Sequence, residues 1–459
     1  RLVLKPADLA LRSCPGAGVV ETQALTELQE LFRERTGAVP AGQAFEIVIG
    51  VLDPQDRLAG TVIPPAGRLR QSPYPQQAYA ILPEGDNRLL VAALAEPGVY
   101  YGATTLRQLL EPRLTAERVE VPLATVVDWP ALDQRGLWNN DLALIPWLAT
   151  LKLNFVVDPV NYSRLERGKP VTTTMRVAAL EEARRRAVHF LPHLPHDNFL
   201  HRYGLDEAYP ELTGKGERSK CPYKFATEGH RAPCASNPLL AQITAEAMRD
   251  VASKGASEVS VWGSEHASQC ECEACLKQGQ FRNETQSAVT AWQEARQQYP
   301  DLGLRIFYCM GSTTREDTLA CLLALPPEVR IEHCYGAFSD AFTDAARQGR
   351  WLADYSAGVA FYPQTAWLRF WGTWIRADLR NQVSRGYRAK YVITHSWPGT
   401  RQAHDYTISA LAEWSWNLEG RDLADFALAW ATRQGCARPR LVADWICRMD
   451  PIESDLVPG

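Results

Sequence analysis

One stretch of the chain gathers side chains able to do chemistry: Glu258-Val-Ser-Val-Trp262-Gly-Ser-Glu265-His-Ala-Ser-Gln-Cys270-Glu-Cys272-Glu-Ala-Cys275. A carboxyl group such as that of Glu265 can hand a proton to a departing oxygen if its pKa is raised. Partial burial beside Trp262 would raise it. Val259 and Val261 alternate, so the stretch begins as a strand, and Glu265 falls where that strand stops. Three cysteines follow at C-x-C-x-x-C spacing. With Cys234 they offer the four thiolates that close a tetrahedral zinc site. Disulfides, for example Cys221 with Cys234 and a pair within the trio, are the competing reading in an oxidising compartment. His266 alone supplies an imidazole nearby, so any metal here is expected to be structural, and the chemistry to need no cofactor.

Bond cleavage by proton transfer needs a second group as well as an acid. Glu332 and Asp197 are the candidates, with Asp340 behind them. The elements that must position these groups repeat strand then helix eight times from Gln134. The expected strands are 135–138, 154–157, 188–191, 258–262, 304–308, 329–333, 358–361 and 391–394. Eight such units predict a closed (β/α)8 TIM barrel, with a doubly wound open sheet as the alternative. No Gly-rich phosphate loop follows any strand, which counts against the open sheet. Residues 1–123 read as a small α/β domain, 124–420 as the barrel, and 421–459 as helices packed on it.

In a barrel, function sits at the carboxyl ends of the strands. Trp138, Asn139, His196, Trp262, Tyr308, Tyr335, Tyr362, His395 and Trp397 fall there in the sequence. Aromatic faces, amides and imidazoles converging on one rim suit a sugar ring better than a nucleotide. The expected partner is therefore an oligosaccharide or glycan. The net charge of -4 and pI of about 6.2 leave no basic surface for nucleic acid. No apolar run reaches the roughly 18–20 residues of a membrane span. The first residue is Arg1, which fits a removed leader and a secreted or periplasmic location.

The segment Tyr100-Tyr101-Gly102-Ala-Thr-Thr105-Leu-Arg-Gln-Leu-Leu110, with Val127-Asp128-Trp129-Pro130 and Gln134-Arg135-Gly136, resembles glycoside hydrolase family 20, the β-N-acetylhexosaminidases. Cys234-Ala-Ser236-Asn237-Pro238 followed by Cys270, Cys272 and Cys275 resembles glycoside hydrolase family 163, the endo-β-N-acetylglucosaminidases. The resemblance implies hydrolysis of β-linked N-acetylhexosaminyl glycosides, assisted by the substrate's acetamido group. It implies Glu265 as the acid/base, Arg135 as the grip on sugar hydroxyls and Trp397 as an aromatic wall. Ser264 stands where family 20 has its orienting acid. An inverting glycosidase for uronic or neutral sugars, or a barrel that only binds carbohydrate, are the alternatives. Exo and endo action are not distinguished by these residues.

Overall fold

In the computed structural model, residues 1–138, 141–221, 231–263, 268–309, 315–334, 339–356, 370–393 and 400–455 are described. Eight parallel strands form a closed barrel: β1 (Gln134–Trp138), β2 (Phe155–Pro159), β3 (His189–His193), β4 (Glu258–Trp262), β5 (Gly303–Tyr308), β6 (Arg330–Cys334), β7 (Leu352–Ser356) and β8 (Ala389–Ile393). Closure is made by β8 pairing with β1, from Gln134 opposite Ala389 to Trp138 opposite Ile393. Where β1 meets β2 the backbones run close. A Cβ on Gly136 would lie 2.1 Å from the Phe155 carbonyl oxygen, so only glycine fits there.

Seven strands fall within a residue or two of their expected places. The seventh does not: β7 is Leu352–Ser356, whereas the expected 358–361 lies outside the described residues. Asp354, in the middle of β7, makes the segment read as polar. Its carboxylate is paired with the buried Lys390 on the neighbouring strand, so the charge is neutralised where it is buried.

Side chains alternate across each strand, and the inward set fills the barrel. Phe155, Val157, Leu191, Phe307, Ala353, Tyr355, Ala389 and Tyr391 form one buried cluster with Trp138. Outward-facing aliphatic residues belong to a second, larger cluster under the helices. Helices α1 (Pro238–Ser253) and α2 (Gln280–Ala295) flank β4 and carry residues that matter below. Asn237 caps α1 by accepting from the Leu239 N–H, with Pro238 in the first turn where no hydrogen bond is lost.

Before the barrel, a five-stranded sheet runs in the order 9–13, 45–51, 88–93, 79–84, 126–128, and the helices Val19–Thr36 and Glu96–Leu110 pack against it. The sheet's last strand thus lies beyond residue 123. After the barrel come Leu423–Arg433 and Pro439–Asp455. Among the described residues no helix is long and apolar enough to cross a membrane.

Candidate active site

The inward residues at the carboxyl end of the strands are mostly rings. Trp138 stacks on Phe307 with centroids 5.2 Å apart and meets His193 and Tyr355 edge-on at 4.9 and 5.1 Å. All four are buried, so they form a floor rather than a wall. Trp262, ending β4, is partly exposed above it, 5.3 Å from the His193 ring and 5.2 Å from His196. Period-two alternation brings Trp138, Trp262 and Phe307 to the same face from three strands. His193 is pressed down to about 3 by burial and by Arg305, so its ring is neutral. Its Nδ1 bonds Ser260 Oγ at 2.9 Å, and its Nε2 is buried without a partner among the described residues.

The loop after β3 supplies Asp197. Its carboxyl is pushed up to about 8 by burial and by the nearby Glu284, so it holds its proton at neutral pH. Glu284 projects from α2, and both acids line one small cavity at the ends of β3 and β4. Around that cavity the bonds form a chain. Gln280 Nε2 donates to Glu284 Oε1 at 2.9 Å, the Ser268 N–H donates to Gln280 Oε1 at 3.0 Å, and Asn198 Nδ2 donates to Ser268 Oγ at 2.5 Å. His196 is buried, and its Nδ1 accepts from the Asn198 N–H at 3.0 Å, which fixes the turn bearing Asp197.

Four cysteines crowd the same side of the barrel. The sulfurs of Cys234, Cys270, Cys272 and Cys275 all lie within 4.8 Å of one another, a set able to hold a metal ion. Cys221 and Cys234 are not bridged, so the alternative of a disulfide between them is not what the structure contains.

Other expected residues lie elsewhere. Arg135 faces outward from β1, fully buried, and donates to Gln77 Oε1 and to the carbonyls of Leu132 and Lys152 at 2.9, 2.7 and 2.9 Å. Strand parity explains it: Gly136 and Trp138 point in, so Arg135 points toward the first sheet. Tyr308 likewise points outward, with its hydroxyl 3.1 Å from Thr285 on α2 and its ring on Phe281. Glu332 points inward but lies below the floor, bonded to Arg305 Nη1 at 3.2 Å, and is pushed up to about 7 by burial. Asp340 is exposed in the first turn of Ser339–Arg347. Asn139, Glu265, Tyr335, Tyr362, His395 and Trp397 lie outside the described residues.

Sequence reasoning missed Glu284, Phe307 and Tyr355. Phe307 and Tyr355 were recoverable from alternation once their strands were placed. Glu284 sits mid-helix among polar neighbours, and nothing local marks it.

The pattern of glycosyl hydrolase family 20, domain 2, matches residues 9–129. No curated protein sequence matches the chain. Among solved structures, a GH138 enzyme targeting pectin rhamnogalacturonan II superposes with a TM-score of 0.68 at 11% identity, over 97% of this chain and 55% of that one. The chain therefore spans about half the length of that relative. The GH20 exo-β-N-acetylglucosaminidase from Vibrio harveyi gives 0.61 at 14% identity, over 97% and 75%. The GH20 β-N-acetylhexosaminidase from Streptomyces coelicolor A3(2) gives 0.60 at 13%, over 96% and 93%. The fold, a barrel behind a small α/β sheet, is thus the architecture of β-N-acetylhexosaminidases.

Proposed function

We propose that the protein is a glycoside hydrolase acting on β-linked N-acetylhexosaminyl or related glycosides at the carboxyl end of the barrel. The observation that carries the proposal is a partly exposed Trp262 over an aromatic floor and against His196, with the next residue, Asp197, lining one cavity with Glu284. A sugar ring laid on Trp262 would bury its apolar C–H face there. Glu265, three residues on, is the group we assign to protonate the leaving oxygen. Its proton transfer is worth about 10²–10⁴ in rate. We assign Asp197 as the second carboxyl, which would hydrogen-bond the substrate while Glu265 reacts. The comparisons support this reading through fold, and the family 20 domain 2 pattern over residues 9–129 supports the small domain in front of the barrel. The four thiols are a structural site in this reading, with zinc as the metal, and take no part in the chemistry.

A second reading has its own support. Asp197 and Glu284 are two carboxyl groups lining one cavity, the residue types an inverting hydrolase uses when the substrate does not assist. The experiment is a screen of aryl β-glycosides and glycans with the product anomer followed by NMR. Retention on N-acetylglucosaminides supports substrate assistance; inversion on uronic or neutral sugars supports the second reading. Glu265→Gln should lose turnover by at least about a hundredfold while keeping sugar affinity. Wild-type rates in that variant on every substrate found would remove Glu265 from the mechanism.

A further inference from the structure

We infer that Cys234, Cys270, Cys272 and Cys275 bind one zinc ion as a closed tetrathiolate, and that this ion is the clamp holding the segment that carries Glu265. The first half rests on sulfur geometry. Cys234 Sγ stands 3.7 Å from Cys272 Sγ and 3.8 Å from Cys275 Sγ. A tetrahedron of sulfurs at the Zn–S length of about 2.3 Å has edges of about 3.8 Å. The four sulfurs come from two stretches of chain, at 234 and at 270–275, and meet within 4.8 Å of one another.

The surroundings suit thiolates. The Lys215 and Cys272 N–H groups point at Cys270 Sγ from 3.3 and 3.4 Å, and the Cys275 N–H points at Cys272 Sγ from 3.5 Å. Ser236 Oγ lies 3.4, 3.5 and 3.2 Å from the sulfurs of Cys234, Cys272 and Cys275, capping the face they share. Donors on the far side of metal-bound sulfur spread its charge and fix its direction. All four positions are filled by protein, which is the mark of a structural ion rather than a reacting one.

The second half deepens the glycosidase reading and rests on it. Gly263 and Ser268 flank residues 264–267. The Gly263 N–H bonds the Phe307 carbonyl at 2.8 Å, and the Ser268 N–H bonds Gln280 at 3.0 Å. Two residues beyond Ser268, Cys270 enters the thiol cluster. Cys270 and Cys275 also line the cavity that holds Asp197 and Glu284. Asn283 Nδ2 bonds the Cys275 carbonyl at 3.0 Å, tying the cluster to the helix that carries Glu284. The ion therefore fixes one wall of the acid cavity and one end of the reactive segment, while remaining outside the reaction.

The test uses the whole chain. Elemental mass spectrometry should find about one zinc per chain, and all eleven thiols should titrate only when denaturant and chelator are both present. Removing the ion should lower the melting midpoint by about 5 °C or more and cut kcat at least about tenfold, with both restored by added zinc. Cys272→Ser with Cys275→Ser should abolish stoichiometric zinc. Should that variant fail to fold, cobalt in the native chain supplies the readout, through the absorption bands of a tetrahedral thiolate site. Iron in place of zinc, less than about a tenth of an equivalent of metal, or oxidised cysteines would overturn the zinc site. Zinc present with kcat unchanged on its removal would overturn the clamp alone. A zinc-loaded chain that hydrolyses no glycoside would overturn the glycosidase reading and leave the metal stoichiometry standing.

Discussion

Asp197 binds a proton in the folded chain across a range where the unfolded chain has released it. Its folded pKa is about 8, against an ordinary value of 3.8. Between those values folding takes up a proton, so stability falls as pH rises through that window. Asn carries no proton to lose. Asp197→Asn should therefore gain on the native chain as pH rises, by about 2 °C in melting midpoint at pH 8.5 relative to pH 5. Scanning fluorimetry at the two pH values measures it; an unchanged difference would mean that Asp197 is ionised in the fold. Turnover tells the complementary story. On the glycosidase reading, the native chain should lose kcat/KM as pH rises through about 8. Trp262 belongs to the same scale. If it is the sugar platform, Trp262→Ala should raise KM about tenfold and also lower the melting midpoint, because the ring packs on the floor, whereas Trp262→Phe should keep most of the stability.

At the scale of the strands, the barrel's interior is a column with charge below and rings above. Arg305 on β5 donates to Glu258 on β4, Glu332 on β6, Gln134 on β1 and Tyr391 on β8. It thus ties five of the eight strands through one guanidinium. Glu258 is held well below its usual range by Arg305, His189 and Arg330 despite its burial, whereas Glu332, with Arg305 as its one near cation, is pushed up. Arg305→Met strands an ionised Glu258 in the core and should cost about 3–5 kcal/mol in urea unfolding. Glu332→Gln removes a carboxyl that burial pushes up toward its neutral form and should cost far less. Equal losses in the two variants would contradict this division of charge. The strand scale also shows what was legible in the sequence. Strands could be found where apolar residues recur at period two on one face, as Val259 and Val261 do on β4 and Leu304 and Ile306 on β5, both pairs turned outward under the helices. β7 was missed because Asp354 faces out to Lys390, a partner on another strand that no local pattern reveals. For the same reason the carboxylate pair was only half visible. Asp197 lies among histidines that draw attention, while Glu284 becomes a partner only when α2 is laid against β4.

At the scale of the molecule, the residues that carry the family resemblance meet at the seam between the first sheet and the barrel, on the side away from the aromatic floor. Arg135 lies over the rings of Tyr101 and Trp416, 5.6 and 5.1 Å from their centroids. Asp128 accepts from the Tyr79 hydroxyl and from the Trp416 indole, each at 2.8 Å. Lys152, lowered to about 8 by burial, sits 4.1 Å from the Trp416 ring. Arg135 also holds Gln77, which reaches across from the first sheet's side of the seam. A guanidinium fully buried and locked this way is out of a substrate's reach. Its loss should loosen the two parts and leave sugar affinity alone. Arg135→Met removes buried charge-assisted bonds and leaves carbonyls unsatisfied, for a cost of about 2–4 kcal/mol. We expect the melting midpoint to fall and protease to cut sooner near residues 122–133, with KM on any glycoside within about twofold of native. A variant that melts like the native chain but shows a tenfold higher KM would return Arg135 to the sugar, and would mean that the seam described here opens in solution.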